Sequence, residues 1–239
     1  MKIIDTFWEK RNLGIESVQI DLDNADTIDD LTKLDELTQP YQVLKFDCSN
    51  ISFLLHAQEM GFKVIELQNN LLHRLHEISL PKIYDRLIQS SEYKLANNEE
   101  QNYVLNKVLE LNIFNTDRIA LDPNFNVMIA NRRYVNWIKD ILSSSNGNML
   151  LTVQHNKIAG FVIEKAEGNS IHSVLGGVIE PSEIGIGIST FYSIIDYAKK
   201  TGAELIETAV SSNNISSLKT NLMLGYEITN CSYVLVRHK

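Results

Sequence analysis

The sequence predicts an α/β fold, and three observations carry that prediction. Residues 175–226 have the pattern of a strand, a glycine turn, a helix, a second strand and a second helix. An Asn followed eleven residues later by a Gly-aromatic pair occurs at Asn50 and again at Asn214. The chain has 239 residues, 44% hydrophobic and 22% charged, which is enough to build a sizeable core. This length allows one large domain or two small ones.

Composition limits the classes of function. The net charge of −8 and the pI near 5.3 argue against a nucleic-acid groove as the main site. Cys48 and Cys231 fit no metal-ligand spacing and predict reduced thiols. The first 25 residues lack the pattern of a signal peptide, and no apolar run approaches the length of about 18 residues that suggests a membrane span. We therefore expect a cytoplasmic protein.

The N-terminal third alternates strands with helices. Strands are predicted at 17–22, 41–46 and 63–67, and helices at 27–37 and 50–60. From Gln68 to Asn102 the chain has a polar helical pattern, and Tyr103 begins another helix. A hairpin is predicted around 155–157, followed by a strand at 171–179. The repeated Asn-to-Gly spacing predicts that the N-terminal part is a degenerate copy of the C-terminal part, with chance similarity of two helix ends as the alternative.

The glycine turn around residue 186 carries the clearest chemical signal. Gly185 and Gly187 have no Cβ atoms to block a ligand, and they permit backbone angles closed to other residues. The following helix, which Gly202 ends, has one apolar face formed by Ile188, Phe191, Tyr192 and Ile195. Free N–H groups at the start of that helix favour an anion such as a pyrophosphate. A turn that needs small residues for packing alone is the alternative.

Two common phosphate-binding motifs do not fit this turn. A dinucleotide fingerprint requires a third glycine, and Thr190 occupies that position. Its acidic residue should end the next strand, whereas Glu207 lies near the middle of the predicted strand. A P-loop is excluded because no Gly-Lys-Ser/Thr follows the glycines.

A third motif fits better. The run 182–187, Ser-Glu-Ile-Gly-Ile-Gly, resembles the R/Q-x-x-G-x-G/A signature of the GNAT superfamily of N-acetyltransferases, with Ser182 as a departure at the first position. Asn214 stands eleven residues before Gly225, and Leu-Gly-Tyr at 224–226 resembles the family's Leu-Gly-Phe/Tyr helix end. The similarity covers about residues 147–239.

This resemblance implies a mixed, mostly antiparallel sheet flanked by helices. It also implies a degenerate GNAT-like half at 1–76, a helical linker at 77–100 and an acetyl-CoA-binding domain at 101–239. Acetyl-CoA is the implied co-substrate, without a metal, and it is available in the cytoplasm. In the family, the strand that corresponds to residues 171–179 separates from the next parallel strand after the position of Gly177. The implied cofactor-binding residues are Gly177, Val178, Ile179, Ile184, Gly185, Ile186, Gly187, Ile188, Asn214 and Ser217.

The segment 114–140 corresponds to the acceptor-binding region of the family. Arg118 could bind a phosphate or carboxylate, and Tyr134 and Trp137 could stack on a sugar or base. An ordinary helix with solvated arginines is the alternative. Together with the last strand, this segment resembles the bacterial dTDP-fucosamine N-acetyltransferases, which modify a nucleotide-linked amino sugar for surface polysaccharide. The implied partner is a small-molecule amine, and binding to nucleic acid is not expected. Both a monomer and a homodimer are compatible with the sequence.

The implied reaction is direct attack of an amine on the thioester. His172 is a candidate base because an imidazole can accept a proton near neutral pH, and a half-buried edge histidine is the alternative. Glu164 is the carboxylate candidate for the same role. A backbone N–H near Ile179 is expected to stabilise the oxyanion. Asn221 occupies the position of the family's tyrosine, and it can hydrogen-bond the sulfur but cannot donate a proton as an acid.

Three hypotheses follow from the sequence. The first is an N-acetyltransferase for an amino sugar. The second is a GNAT transferase for another small amine, an antibiotic or a peptide. The third is a non-catalytic CoA-binding module, which the departures at Ser182 and Asn221 favour. Binding of acetyl-CoA without turnover would favour the third.

Overall fold

The computed structural model describes residues 1–179 and 185–239. The first part of the chain forms four strands and three helices, with a single turn of 3-10 helix at Lys33–Glu36 after the second helix. In chain order they are β1 (Lys2–Asp5), α1 (Phe7–Leu13), β2 (Ser17–Asp21), α2 (Ile28–Thr32), β3 (Tyr41–Asp47), α3 (Ile51–Glu59) and β4 (Lys63–His73).

The second part contains six strands and six helices among the described residues. In chain order they are α4 (Lys82–Gln89), β5 (Glu92–Leu95), α5 (Asn98–Leu111), α6 (Arg118–Leu121), α7 (Val127–Leu142), β6 (Gly147–Gln154), β7 (Lys157–Glu167), β8 (Ser170–Val178), α8 (Ile186–Thr201), β9 (Leu205–Ser211), α9 (Ile215–Met223) and β10 (Glu227–His238). His155 and Asn156 have positive φ angles of 49° and 61°, which make the tight turn of the predicted β6–β7 hairpin.

The strands form one sheet of ten, in the order β1-β2-β3-β10-β4-β9-β8-β7-β6-β5. Neighbouring strands are antiparallel except in the pairs β2–β3 and β8–β9, which are parallel. Each parallel pair is joined by a helical crossover, as parallel strands require. The predicted fold, a mixed and mostly antiparallel sheet flanked by helices, is therefore confirmed.

The last strands of the two parts are exchanged. β10, from the end of the chain, lies between β3 and β4, and β4 lies between β10 and β9. Every neighbour of β4 thus belongs to the second part and every neighbour of β10 to the first. The division into 1–76, 77–100 and 101–239 stays a prediction. The strand exchange makes the two predicted halves share one continuous sheet.

Two secondary-structure predictions near this exchange were wrong. The strand predicted to end at Leu67 continues to His73, where a polar helix was expected. Asn69, Leu71 and His73 are buried at alternate positions, because successive side chains of a strand point to opposite faces of the sheet. Within the predicted helical linker, Glu92–Leu95 forms the edge strand that pairs with β6.

Helices pack on both faces of the sheet. On one face, α8 covers an apolar cluster that includes Val162, Ile195 and Ile206. On the other, α5 and α7 cover a cluster that includes Val108, Phe161 and Ile138. Buried apolar area of this kind is the main stabilising contribution to such a fold. Of the helices in 1–179 and 185–239, none is long and apolar enough to cross a membrane.

Candidate functional site

The site begins where two parallel strands separate. β8 and β9 are paired from Ser170 opposite Leu205 to Ser173 opposite Thr208. Beyond that point β8 continues to Val178 with only β7 beside it. The separation therefore occurs four residues before Gly177, the position that the family resemblance indicated.

A bulge in β8 explains the early separation. Ser173 lies opposite Glu164 of β7, whereas the next pair is Leu175 opposite Ile163, so Val174 is an extra residue. An extra residue bends its strand and increases the local twist. β8 thereby turns away from β9 directly after Ser173, and backbone groups on its open edge lose their strand partner.

A cavity of about 410 Å³ extends from this opening. Its lining comes from the separated strands, from α8 and α9, and from α6 and α7. The first part of the chain contributes Lys45, Glu66 and Gln68 as well. The sequence-predicted residues that line it are Arg118, Tyr134, Trp137, Gly177, Val178, Gly187, Asn214, Ser217 and Asn221.

The two glycines of the turn have different surroundings. A Cβ atom on Gly187 would contact only Val178, at 3.9 Å from its Cγ2 atom, so the space above this helix start is open. Gly185 has a φ of 93°, and a Cβ there would lie 2.9 Å from Leu87 of α4 and 3.0 Å from Tyr84. Gly187 is therefore the glycine that leaves room for a ligand, whereas Gly185 makes the turn and packs against α4.

Three other predicted cofactor contacts, Ile179, Ile186 and Ile188, do not line the cavity. Ile186 and Ile188 are buried, and the Ile188 N–H already donates to the Gly185 carbonyl at 2.8 Å. The Ile179 N–H donates to the Ala159 carbonyl at 2.8 Å, so it cannot serve an oxyanion. Ile184 lies outside the described residues. Because backbone groups alternate in direction along a strand, the Val178 N–H faces the open edge instead.

The start of α9 is shaped by its own side chains. Asn214 caps the helix by accepting a hydrogen bond from the Ser217 N–H at 3.1 Å. Asn221 is buried, and its Nδ2 donates to the Ser217 carbonyl at 2.9 Å and contacts the Ser217 Oγ at 3.3 Å. Both amide hydrogens of Asn221 therefore have an acceptor within its own helix.

On the α6–α7 side the cavity wall is charged. Glu9 of α1 is buried and accepts hydrogen bonds from Arg133 Nε at 2.7 and 2.8 Å and from Arg118 Nη2 at 2.9 Å. Burial alone would raise the pKa of Glu9, but the two arginines lower it overall. Arg133 is neutralised by this carboxylate. Arg118 shares the same oxygen and borders the cavity.

The two predicted aromatic contacts differ in accessibility. Tyr134 is stacked on Phe114 with ring centroids 4.1 Å apart. Trp137 is 39% exposed and has the Arg133 guanidinium 5.8 Å from its ring centroid. Trp137 also borders a second cavity of about 630 Å³, which adjoins the first. Of the two rings, Trp137 has the free surface that stacking on a ligand needs.

The predicted bases lie away from the main cavity. His172 lines the second cavity and pairs with Glu167 at 3.5 Å and Glu207 at 3.3 Å. Glu164 is buried and accepts a hydrogen bond from Asn148 Nδ2 at 2.5 Å. Burial raises the pKa of Glu164, and hydrogen bonds from Asn148 and from Tyr197 of α8 oppose that effect. Glu164 lines neither cavity, because its side chain lies on the α8 face of the sheet.

Sequence reasoning missed the three residues from the first part of the chain. Lys45 Nζ donates to Gln68 Oε1 at 2.7 Å, and burial together with nearby Arg118 lowers the pKa of Lys45 to about 8. Burial raises the pKa of Glu66, against the effect of a hydrogen bond from Ser211. A lysine between Leu44 and Phe46 in an apolar strand was the available signal, since charged residues are seldom buried without a purpose.

Comparisons with known proteins identify the fold. No family model matches the sequence, and no curated protein matches it. A GCN5-related N-acetyltransferase from Sphaerobacter thermophilus aligns with a TM-score of 0.59 and 11% identity over 83% of this chain and 59% of its own. One from Kribbella flavida aligns with a TM-score of 0.58 and 12% identity over 98% and 83%.

A third neighbour has two GNAT units in one chain. It is a tandem GNAT protein from the clavulanic acid biosynthesis pathway, with a TM-score of 0.51 and 15% identity over 84% of this chain and 64% of its own. The chain thus has the fold of the GCN5-related N-acetyltransferases, in a two-part arrangement. At these identities the comparisons define the fold, and the chain spans 59% of the length of the Sphaerobacter protein.

Proposed function

We propose that this protein is an acetyl-CoA-dependent N-acetyltransferase. The observation that carries the proposal is the cavity at the separation of β8 and β9. It joins an open helix start at Gly187 to a charged pocket under α6 and α7. A site of this form can hold an acyl donor on one side of the sheet and an amine on the other. Proximity of two bound reactants is a large part of the catalysis that such a site provides.

The donor side has the groups that a pyrophosphate and a pantetheine arm need. The first N–H groups of a helix generally lack intrahelical partners and attract an anion, and Gly187 lies in the first turn of α8. The open edge of β8 offers backbone groups at Gly176 and Val178, which alternate with those bonded to β7. Acetyl-CoA, when bound, supplies the activated acetyl thioester. Asn221 stays the proposed hydrogen-bond donor beside the sulfur, through rotation of its amide or through the Ser217 hydroxyl.

For the acceptor, we propose a nucleotide-linked amino sugar. Arg118 and Lys45 are cations that can face a phosphate, and Trp137 exposes a ring face that suits a sugar or base. Another small amine or a peptide is the alternative. We place the reaction in the cytoplasm, where acetyl-CoA is available, as a step toward surface polysaccharide.

A binding measurement followed by a turnover measurement tests this proposal. Acetyl-CoA at about 100 times its dissociation constant should stabilise the fold by about 2.7 kcal/mol, seen as a higher melting temperature. Release of free CoA is then measured with simple amines, free amino sugars and a dTDP-linked amino sugar. An unchanged melting temperature with millimolar acetyl-CoA would overturn the proposal. Binding without CoA release from any amine would instead identify a non-catalytic CoA-binding module.

A further inference from the structure

One row of side chains on the sheet connects the two parts of the chain at the cavity. Lys45 of β3 and Glu66 of β4 both lie opposite Val234 of β10, so the three residues are level with one another. Lys45 and Glu66 line the cavity on the α6–α7 side. Both charged residues come from the part of the chain without the glycine turn.

We infer that Glu66 accepts the proton of the acceptor's ammonium group, so that the first part of the chain supplies the base for the second. This inference rests on the proposed acetyltransferase function. β4 is the direct neighbour of β9, the strand at which the cavity opens. Neighbouring strands lie about 4.8 Å apart, so across the sheet Glu66 is one strand from β9, whereas Lys45 on β3 is about 10 Å farther. Of the two, Glu66 is the closer to the strand at which the cavity opens.

Other carboxylates are less suited to this role. Glu164 is on the opposite face of the sheet, and Glu9 is held by two arginines. Asp117 lines the cavity, but its Oδ1 accepts the Ala120 N–H and caps α6. Glu66 does not cap a helix and is not held between two arginines, and its hydrogen bond is with Ser211.

The surroundings of Glu66 raise the pKa of its carboxyl group, which makes its carboxylate a stronger base. The charged or titratable groups that act on it are Lys45, Asp117, Arg118 and Tyr134. Burial raises the pKa of Glu66, and Asp117 adds to this. Ser211, Arg118 and Lys45 lower it without cancelling the rise. A base whose pKa approaches the working pH is the more effective one.

The step balances with the protein's own groups and the two substrates. The Glu66 carboxylate takes one proton from R–NH₃⁺, which leaves a neutral amine and a carboxylic acid. The nitrogen lone pair forms the new bond to the acetyl carbon, and the carbon–sulfur bond breaks with its electron pair on sulfur. The second proton of the attacking nitrogen passes to the thiolate, and Glu66 releases its proton to solvent. The products are an amide, CoA thiol and one proton.

Two small amines distinguish a base from a merely structural residue. Ethanolamine is protonated at pH 7 and needs a base, whereas O-methylhydroxylamine is mostly neutral there and does not. For Glu66→Gln we expect kcat/KM with ethanolamine to fall about 100-fold or more, within the range of general base catalysis. With O-methylhydroxylamine it should fall less than about tenfold. Glu66→Asp should retain an intermediate rate, and Glu227→Gln, an exposed carboxylate on β10, is the matched control.

The possible results separate this inference from the proposed function. Equal losses with both amines, or an unchanged rate with ethanolamine, would overturn the role of Glu66. Wild-type protein that binds acetyl-CoA but releases CoA with no amine, the dTDP-linked amino sugar included, would overturn it too. Failure of the wild type to bind acetyl-CoA would overturn the proposed function itself. Loss of the acidic limb of the pH–rate profile in Glu66→Gln would support the assignment.

Discussion

The units β3–α3–β4 and β9–α9–β10 have the same order of elements, with helices of nine residues each, displaced along the chain by 214 − 50 = 164 residues. Asn50 caps α3 with φ −89° and ψ 74°, and Asn214 caps α9 with φ −95° and ψ 67°. The glycines that follow these helices, Gly61 and Gly225, have φ angles of 87° and 88°. The internal repeat predicted from the sequence is therefore present in three dimensions.

The segments that precede these two units differ. Before β9, a glycine turn opens the 16-residue helix α8. Before β3, the corresponding connection has Asp23 and Asp26 in its turn, and α2 has only five residues. Asp26 pairs with the N-terminal amine. Carboxylates and a short helix do not attract a pyrophosphate, so this connection lacks the features on which the proposed anion site at Gly187 rests. The first part instead contributes Lys45 and Glu66 to the lining of the cavity, on its proposed acceptor side.

The ends of the exchanged strands provide a second comparison. Arg237 of β10 packs on Phe62, with its guanidinium 4.3 Å from the ring centroid. At the equivalent place in the other unit, His73 of β4 packs on Tyr226 with centroids 5.0 Å apart. In each contact, a side chain from a strand of one part packs on the aromatic residue that follows the helix-ending glycine in the other part. The two contacts differ in charge, and this difference can be tested.

The largest effect is expected at Arg237. Its guanidinium bonds Gln42 Oε1 at 2.7 and 2.9 Å, Asp35 at 2.7 Å, and the carbonyls of Leu34 and Met60 at 2.9 Å. Arg237→Leu should lower the free energy of unfolding by about 4 kcal/mol, because it leaves buried acceptors without a partner. Urea unfolding measures this change.

The control for this substitution is another ion-paired arginine. Arg11→Leu removes an exposed pair with Asp140 and should cost less than about 1 kcal/mol. Equal losses in the two variants would show that Arg237 does not hold the exchanged strand.

The second effect depends on pH and concerns His73. Burial, with a contribution from His76, lowers the pKa of His73 from 6.5 to about 4. The unfolded chain therefore binds a proton between pH 6.5 and 4 that the folded protein does not, so stability falls as pH falls through this window. The loss should reach about 3 kcal/mol near pH 4. His73→Phe should flatten the pH dependence of urea unfolding, and an equally steep dependence in that variant would assign it to other groups.

The third effect tests the difference between the two turns. Gly187→Val fills the space above the start of α8, and should weaken acetyl-CoA binding about 100-fold, or about 2.7 kcal/mol, with the fold retained. Calorimetric titration measures the affinity. Ala25→Val makes a comparable change in the corresponding turn of the first part and should leave the affinity unaltered. If Gly187→Val retained its affinity for acetyl-CoA, the glycine turn would have a structural role and no role in binding.

The smallest effect is expected at Asn221. Because its amide already donates to Ser217, we expect Asn221→Ala to lower kcat only about tenfold, or about 1.4 kcal/mol. Asn221→Tyr should retain or improve turnover, since a phenol can also donate a proton. Steady-state kinetics with the best acceptor gives both values. A loss of several thousandfold in Asn221→Ala with intact acetyl-CoA binding would mean that Asn221 does more than hydrogen-bond the sulfur.

Local signals in the sequence were sufficient for the elements whose geometry is local. The helix starts at Asn50 and Asn214, the turns at Gly61, Gly202 and Gly225 and the apolar face of α8 follow from backbone sterics and helical periodicity, which neighbouring residues set. The same signals indicated the fold class and the open helix start at Gly187.

The acceptor side depended on contacts between residues far apart in the chain. Lys45, Glu66 and Arg118 meet only because β10 and β4 are exchanged between the two parts, and strand order is not encoded in local periodicity. For the same reason the extension of β4 to His73 could not be seen, since it is stabilised by β9 and β10 from the far end of the chain. Which carboxylate lies beside the opening of the sheet was decided by the tertiary structure, because long-range strand pairing sets it.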